Sequence, residues 1–165
     1  METLRTILWR QYGAAIDTLG NAIVACPDRL WDDGSRPPEL FWYSAYHCLF
    51  YLDYYLSDSP EGFAPPAPFG LTELDGSGPL PERTYTKDEL RAYLAHGRRK
   101  CRARMESLSE EDLVKPCGFG RRHLTVVELQ VYCLRHVQHH AAQLNLLLRQ
   151  KAGLPSPWLS VAQEP

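Results

Sequence analysis

Two histidines late in the chain have the spacing of metal ligands. The sequence reads HVQHH over residues 136–140, and a step of four residues along an α-helix changes direction by only about 40°. His136 and His140 would therefore project from one face. Two neutral imidazoles held together need partners for their ring nitrogens, and one divalent transition metal supplies both at once. The pair favours a metal site over two separate core histidines, whereas His139 leaves that face and is predicted to flank it.

The residues around this pair follow alternating steps of three and four, the pattern of a helix face that points into a bundle. The face comprises Val126, Leu129, Cys133, His136, His140, either Gln143 or Leu144, and Leu147. We therefore expect both histidines to be buried where leucine normally lies. Cys133, one turn before His136, is a candidate fourth ligand, although core packing is the default interpretation of a lone cysteine.

His47 is the candidate third ligand, and it lies within the aromatic segment FWYSAYHCLFYLDYYL. A helix here has an aromatic stripe of Leu40, Tyr43, His47, Phe50 and Tyr54, opposite an apolar stripe of Trp42, Ala45, Leu49, Leu52 and Leu56. Periodicity does not decide which stripe faces the interior. If the aromatic stripe does, the apolar stripe must be covered by another helix or by a second subunit, which makes a homodimer an expectation.

Four helices must position these residues. Apolar periodicity predicts them over residues 2–26, 39–56, 87–108 and 125–151, with Thr86 and Thr125 as N-caps and Gly153 ending the last. A long proline-rich and glycine-rich connection over residues 58–85 separates the second helix from the third; it should not be helical, and Phe63, Phe69 and Tyr85 could anchor it. The predicted fold is all-α, with one helical domain over residues 1–153 and an irregular tail over residues 154–165, where Trp158 could dock.

Composition excludes several classes of protein. The 165 residues carry a formal net charge of −2, which gives no general attraction to nucleic acid or to anionic lipid. No stretch reaches the roughly 18 apolar residues of a membrane span, and the N-terminal residues do not form a secretory signal. The five cysteines contain no CxxC pair, so reduced thiols are expected. These features predict a cytoplasmic protein that binds neither DNA nor membrane.

The segment around His47, together with RHVQHHAAQLNLLLRQ around His136 and His140, resembles the DinB/YfiT superfamily of small metal-binding proteins. The resemblance covers most of the chain. It implies an up-down four-helix bundle, with the long loop after the second helix, in which His47, His136 and His140 bind a divalent ion, most commonly zinc or nickel. Ala141 and Ala142 stand where many members have Arg-Gly, so the resemblance does not fix the subfamily.

Three imidazoles leave a coordination position open, as in catalytic metal sites. A metal with an open position lowers the pKa of a bound water or thiol and so generates a nucleophile near neutral pH. The family resemblance implies use of a low-molecular-weight thiol, as an S-transferase or thiol-dependent isomerase. A metal-assisted hydrolase is a second hypothesis for a metal-dependent enzyme. The alternative from a different class is a non-catalytic metal-binding or dimeric interaction protein. No catalytic residue beyond the ligands is identified.

The third predicted helix could recognise an anionic small-molecule substrate. It carries Arg91, Arg98, Arg99, Lys100, Arg102 and Arg104. Such a run is usually only a solvated face, but the forked donors of arginine suit the carboxylates of a thiol or substrate. His96 and His123 have no histidine neighbours and are predicted to be surface residues.

Overall fold

Five α-helices and two short 3₁₀ turns form the regular structure of the computed structural model, which describes residues 1–37, 39–120, 122–154 and 157–163. The helices are α1 (Glu2–Ala25), α2 (Asp28–Trp31), α3 (Phe41–Tyr55), α4 (Lys87–Ser107) and α5 (Val126–Ala152). Within these described ranges there is no strand, and the prediction of an all-α protein is confirmed. No described helix has the length and apolar character needed to cross a membrane.

The long helices begin and end where the sequence places their capping residues. The side chains of Thr86 and Thr125 each accept a hydrogen bond from the backbone N–H three residues later. The glutamate side chain at that later position accepts a hydrogen bond from the backbone N–H of the threonine, so both helices begin with a complete capping box. Gly153 ends α5 in the left-handed conformation, with φ of 68°, which glycine adopts without steric cost. Helix α1 stops two residues before Pro27, as predicted.

The core lies where α1 and α3 both pack against α4 and α5. The apolar stripe of α3 faces this core: Leu49 and Leu52 are almost fully buried, and Leu52 approaches the backbone of α4 at Gly97. The aromatic stripe lies at the other side of α3, against α5 and the long connection. Both stripes are therefore covered within one chain, and the apolar stripe does not need a second subunit. A homodimer stays a prediction.

Helix α5 is rotated relative to the predicted face. Its buried residues are Val126, Leu129, Gln130, Cys133, Val137, Ala141, Leu144 and Leu148. The prediction that His136 and His140 occupy leucine-like core positions is therefore wrong, because both are only partly buried and lie beside this stripe. The small side chain of Ala141 and the branched side chain of Val137 make the helix contacts instead. This rotation leaves the two imidazoles at the edge of the core.

The connection between α3 and α4 is held against α3 by hydrogen bonds and aromatic contacts. Tyr46 donates its hydroxyl to the carbonyl oxygen of Gly70 at 3.3 Å, and Tyr51 donates to that of Glu73 at 2.9 Å. Phe69 and Tyr85 are buried, as expected of anchors. The prediction of no helix is wrong over Thr72–Leu74, which forms a single 3₁₀ turn. This turn brings Glu73 back onto α3.

The C-terminal segment runs along α1. The backbone N–H of Ala162 donates to the carbonyl oxygen of Arg10 at 2.8 Å, and that of Gln163 donates to the carboxylate of Asp17, also at 2.8 Å. Trp158 is 80% exposed, so the prediction that it docks the tail is wrong. Residues 155–156 and 164–165 of the predicted tail lie outside the described residues.

Candidate metal centre

Helices α3 and α5 bring three imidazoles together. One ligand atom from each of His47, His136 and His140 lies within 4.8 Å of the other two. The ring centroids are separated by 4.5 Å between His136 and His140, 4.9 Å between His47 and His140, and 5.5 Å between His47 and His136. Donor atoms this close can share one ion. The expected convergence is present, although metal binding itself stays a prediction.

The two histidines of α5 are neutral, and each keeps one buried ring nitrogen without a hydrogen-bond partner in the described part of the chain, although His140 also interacts with the side chain of Gln143. Burial, followed by the neighbouring imidazoles, lowers the pKa of His136 to about 3 and that of His140 to about 4. His136 Nε2 and His140 Nδ1 are buried atoms without a hydrogen-bond partner among the described residues. A buried nitrogen in this state is costly unless something accepts or donates a bond there. The donor set therefore fits a divalent transition metal, for which neutral imidazole is a preferred ligand.

Glu73 orients the third imidazole. The Nδ1 atom of His47 lies 2.6 Å from Glu73 Oε2, and the glutamate side chain is only 3% exposed. A carboxylate accepts a hydrogen bond from Nδ1–H. This contact favours the tautomer in which the proton is on Nδ1 and Nε2 is free to bind an ion. Glu73 was not predicted from the sequence, because nothing in its position within an irregular segment relates it to His47. It is one of several acidic residues in this connection, and none of them follows a periodic pattern.

A cavity of about 680 Å³ lies next to the histidine group and is separated from it by Tyr51 and Glu73; none of the three histidines lines it, and His136 borders a different pocket. Tyr51 and Glu73 belong to its lining and also contact the histidines: the Tyr51 ring centroid lies 4.8 Å from that of His47 and 5.7 Å from that of His136. Further aromatic walls come from Tyr54, Tyr55 and Phe119. Burial raises the pKa of Tyr51, so this phenol stays protonated at neutral pH. The cavity can hold a small organic molecule beside the histidines.

Arg122 supplies the positive charge of this cavity. Its guanidinium lies 4.8 Å from the ring centroid of Tyr55 and 4.4 Å from that of Tyr132, and it donates a hydrogen bond to the Tyr55 hydroxyl. The sequence places it in a turn before α5, with no indication that it would face a site.

The other sequence candidates lie outside the group of three. Cys133 is fully buried, its Sγ lies 3.8 Å from the carbonyl oxygen of Tyr51, and burial raises its pKa to about 12, so it is a packed thiol. His139 is exposed and its ring flanks His140 at 5.2 Å, as predicted. His123 is exposed, as predicted. His96 is not a simple surface residue, because it is partly buried and its Nε2 lies 3.4 Å from the buried Asp53.

Five of the six basic residues predicted on the third helix face carboxylates of this chain, whereas Arg99 is exposed and forms no ion pair with the described residues. Arg98 forms two hydrogen bonds with Asp17 on α1, and Lys100 pairs with Asp53 on α3. Arg91, Arg102 and Arg104 also lie in ion pairs, with Asp88, Glu106 and Asp58. None of these residues lines the cavity beside the histidines. Their charges hold helices together or remain on the surface, and recognition of an anionic substrate is not supported at this helix.

Comparison with known proteins places the chain in a family. A family model described as the DinB superfamily matches residues 11–144, most of the chain. The matched range contains all three histidines and Glu73. No curated protein and no solved structure matched the chain.

Proposed function

The chain belongs to the DinB superfamily, and from that membership and its three-histidine centre we propose that it is a metal-dependent enzyme. In this proposal the four long helices form an up-down bundle, and His47, His136 and His140 hold one divalent ion, zinc or nickel. The reaction is the attack of a low-molecular-weight thiol, or of water, on an organic electrophile. The observation that carries the proposal is the meeting of three imidazole donors within 4.8 Å beside a cavity.

Neutral donors support metal binding. A divalent ion does not have to displace a proton from His136 or His140 at neutral pH, because burial and neighbouring imidazoles lower the pKa of both. Glu73 accepts a hydrogen bond from His47 Nδ1–H, which leaves the lone pair of Nε2 available to a metal ion. When bound, the ion would supply Lewis acidity that lowers the pKa of a thiol or water and makes it nucleophilic.

The cavity supports an organic substrate. Tyr51, Tyr54 and Phe119 give it aromatic walls that bind the apolar body of an electrophile. Tyr51 also fixes the wall to the segment that carries Glu73, through its hydrogen bond to the Glu73 carbonyl oxygen. These residues bind and orient the substrate.

Metal analysis and a thiol-transfer assay test the proposal on protein purified without a nickel column. We expect about one equivalent of divalent metal in the wild type. Loaded protein should accelerate conjugation of glutathione, mycothiol or bacillithiol to a chlorodinitrobenzene: the sulfur bonds to carbon, chloride leaves, and the thiol proton passes to solvent. His136→Ala should lose both metal and activity, whereas His139→Ala, an exposed neighbour on the same helix, should keep both.

The outcomes separate the candidate functions. Consumption of an ester substrate without thiol, dependent on the same three histidines, would assign hydrolysis in place of thiol transfer. Metal bound by the wild type without turnover of thiol or ester substrates would favour the non-catalytic metal-binding role. Wild-type protein that binds no divalent metal, or His136→Ala that binds as much metal as the wild type, would contradict the proposal.

A further inference from the structure

Among the described residues that line the cavity next to the histidines, Arg122 is the cationic one, and its guanidinium has unused hydrogen-bonding capacity. A guanidinium offers five N–H donors in a planar fork. Arg122 uses one of them on the Tyr55 hydroxyl, and no carboxylate among the described residues forms an ion pair with this side chain. Five basic side chains of α4 are different, because each pairs with an aspartate or glutamate of the chain: Arg91, Arg98, Lys100, Arg102 and Arg104. Arg122 is therefore free to bind an external anion.

Two aromatic rings fix the position of this cation. The guanidinium is held against Tyr55 and Tyr132, with centroid distances of 4.8 Å and 4.4 Å. Cation–π contacts and the hydrogen bond to Tyr55 reduce the rotamer freedom that a long side chain otherwise loses on binding a ligand. A preorganised guanidinium suits the two oxygens of a carboxylate, which accept two parallel N–H bonds.

A row of aromatic rings connects Arg122 with the histidines. The rings of Tyr55 and Tyr51 stack with their centroids 5.7 Å apart, and the Tyr51 centroid lies 5.7 Å from that of His136. The Arg122 charge also contributes to lowering the pKa of His136, after burial and the neighbouring imidazoles. A molecule that spans the cavity would place one end at Arg122, its body against Tyr51 and its other end near Glu73, on the side of the histidines.

The remaining charges of the cavity set a limit on the ligand. Glu73 and Asp75 also line it. Two carboxylates in the same cavity repel a doubly charged phosphate more strongly than a singly charged carboxylate, since the energy scales with the charge. Repulsion by these two carboxylates therefore disfavours a phosphate more than a single carboxylate, and a bound divalent ion would lessen the repulsion for both.

We propose that Arg122 anchors the carboxylate of an organic acid whose flat, apolar body lies in the cavity against Tyr51 and Tyr54. The proposal rests on the proposed function in that the anchored acid is the substrate of the metal site. It defines the substrate class as an unsaturated or aromatic monocarboxylate with its reacting carbon at the end remote from the carboxylate. Arg122 is a binding residue and takes no part in the chemical step.

Equilibrium binding of naphthoate and naphthamide tests the anchor without turnover. The two molecules share a shape and differ in charge, and binding is measured by calorimetry on full-length wild type, both loaded with zinc and after chelation. We expect naphthoate to bind about tenfold or more tightly than naphthamide, in line with a hydrogen bond to a charged group. Arg122→Gln should remove this preference, and Arg122→Lys should retain part of it.

Matched variants and ligands make the result decisive. Asp75→Asn removes a carboxylate from the same cavity and should preserve or increase the preference for naphthoate. Glutathione, titrated in competition with naphthoate, shows whether the thiol or the substrate occupies this end; displacement by glutathione as the tighter ligand would overturn the assignment to substrate. Equal binding of naphthoate and naphthamide to the wild type, or no binding of naphthoate, would also overturn the proposal. Because the chelated protein is included, loss of the metal function leaves this readout intact.

Discussion

At the scale of single residues, the contact between His47 and Glu73 should control the affinity of the proposed metal site. The carboxylate is buried and lies 2.6 Å from Nδ1. Neighbouring carboxylates of this type commonly change metal affinity by about 10–100-fold. The loss of one charge at Glu73 should therefore affect the ion although Glu73 does not belong to the group of three donors.

We expect Glu73→Gln to weaken zinc binding by about 10–100-fold, because a neutral amide accepts a weaker hydrogen bond from His47 Nδ1–H than a carboxylate does. A competition titration with a chromogenic chelator measures the change. Glu61→Gln is the matched control: it removes an exposed carboxylate from the same connection, which should leave the affinity unchanged. Equal affinities for wild type and Glu73→Gln would show that the contact does not assist binding.

The lowered pKa values of His136 and His140 predict how pH affects the metal-free protein. In the unfolded chain these groups titrate near 6.5, whereas in the folded chain the values are about 3 and about 4. Between about pH 6.5 and about pH 4 the unfolded state binds more protons, so the free energy of unfolding falls as the pH is lowered. Each histidine contributes a slope of at most about 1.4 kcal/mol per pH unit.

Urea unfolding of chelated protein at a series of pH values measures this slope. His136→Gln should flatten it, because the variant removes one of the two groups. The exposed His139→Gln should retain the wild-type slope. A slope that does not differ between wild type and His136→Gln would contradict the assignment of the acid sensitivity to this buried imidazole.

At the scale of elements, the close approach of two loops shapes the cavity. A Cβ atom at Gly118 would lie 2.2 Å from the carbonyl oxygen of Asp58 and 2.9 Å from the Cβ of Ser59. The first of these atoms belongs to the backbone and cannot move aside alone. This contact fixes the loop that carries Phe119 and Arg122 against the start of the connection between α3 and α4.

We expect Gly118→Ala to reduce the free energy of unfolding by about 1–3 kcal/mol, the usual effect of overpacking. Urea denaturation measures it. Gly120→Ala provides the matched control two residues away, where an added Cβ would meet no atom within 4 Å. If both variants unfold at the same urea concentration as the wild type, the loops do not constrain each other as the structure indicates.

Local chemistry made the helices predictable, but it did not determine their rotation. Thr86 and Thr125 mark their helix starts through capping residues that are adjacent in sequence. The inward face of α5 depends on whether Val137 and Ala141 or the histidines fit the neighbouring helices better. That choice involves side chains of α1 and α3, which the period of one helix does not contain. The interacting histidines could still be paired because four residues always bring them to one side.

At the scale of the whole molecule, an ion that binds only the folded chain should raise its stability. Zinc at about 100 times its dissociation constant would add about 2.7 kcal/mol. For a chain of this size that corresponds to a rise in melting temperature of about 5–10 °C. A thermal melt followed by circular dichroism measures it.

His140→Ala should abolish this rise while retaining the helical spectrum. Leu146→Ala, at an exposed position of the same helix, should melt higher with zinc as the wild type does. Identical melting of the wild type with and without zinc would show that the three donors do not act as a site of useful affinity.

The cavity is a property of the whole chain and could not be predicted from sequence. Its walls come from α3, from the segment around Pro60 and Glu73, and from the turn at Arg122. These parts are distant in sequence and none has a periodic pattern that refers to the others. The histidines were recognisable because their chemistry is specific, whereas tyrosine, glutamate and arginine are common in surfaces of many kinds.

The connection between α3 and α4 both positions His47 and forms part of the cavity wall. Tyr51 secures it at Glu73, and the same glutamate steadies His47 while forming part of the cavity wall. A movement of this segment away from α3 that broke both contacts would widen the cavity and would also remove the hydrogen bond between His47 and Glu73. Loss of the ion and exchange of the organic molecule would then depend on the same movement. A segment that moves rarely would retain the metal but would also slow turnover.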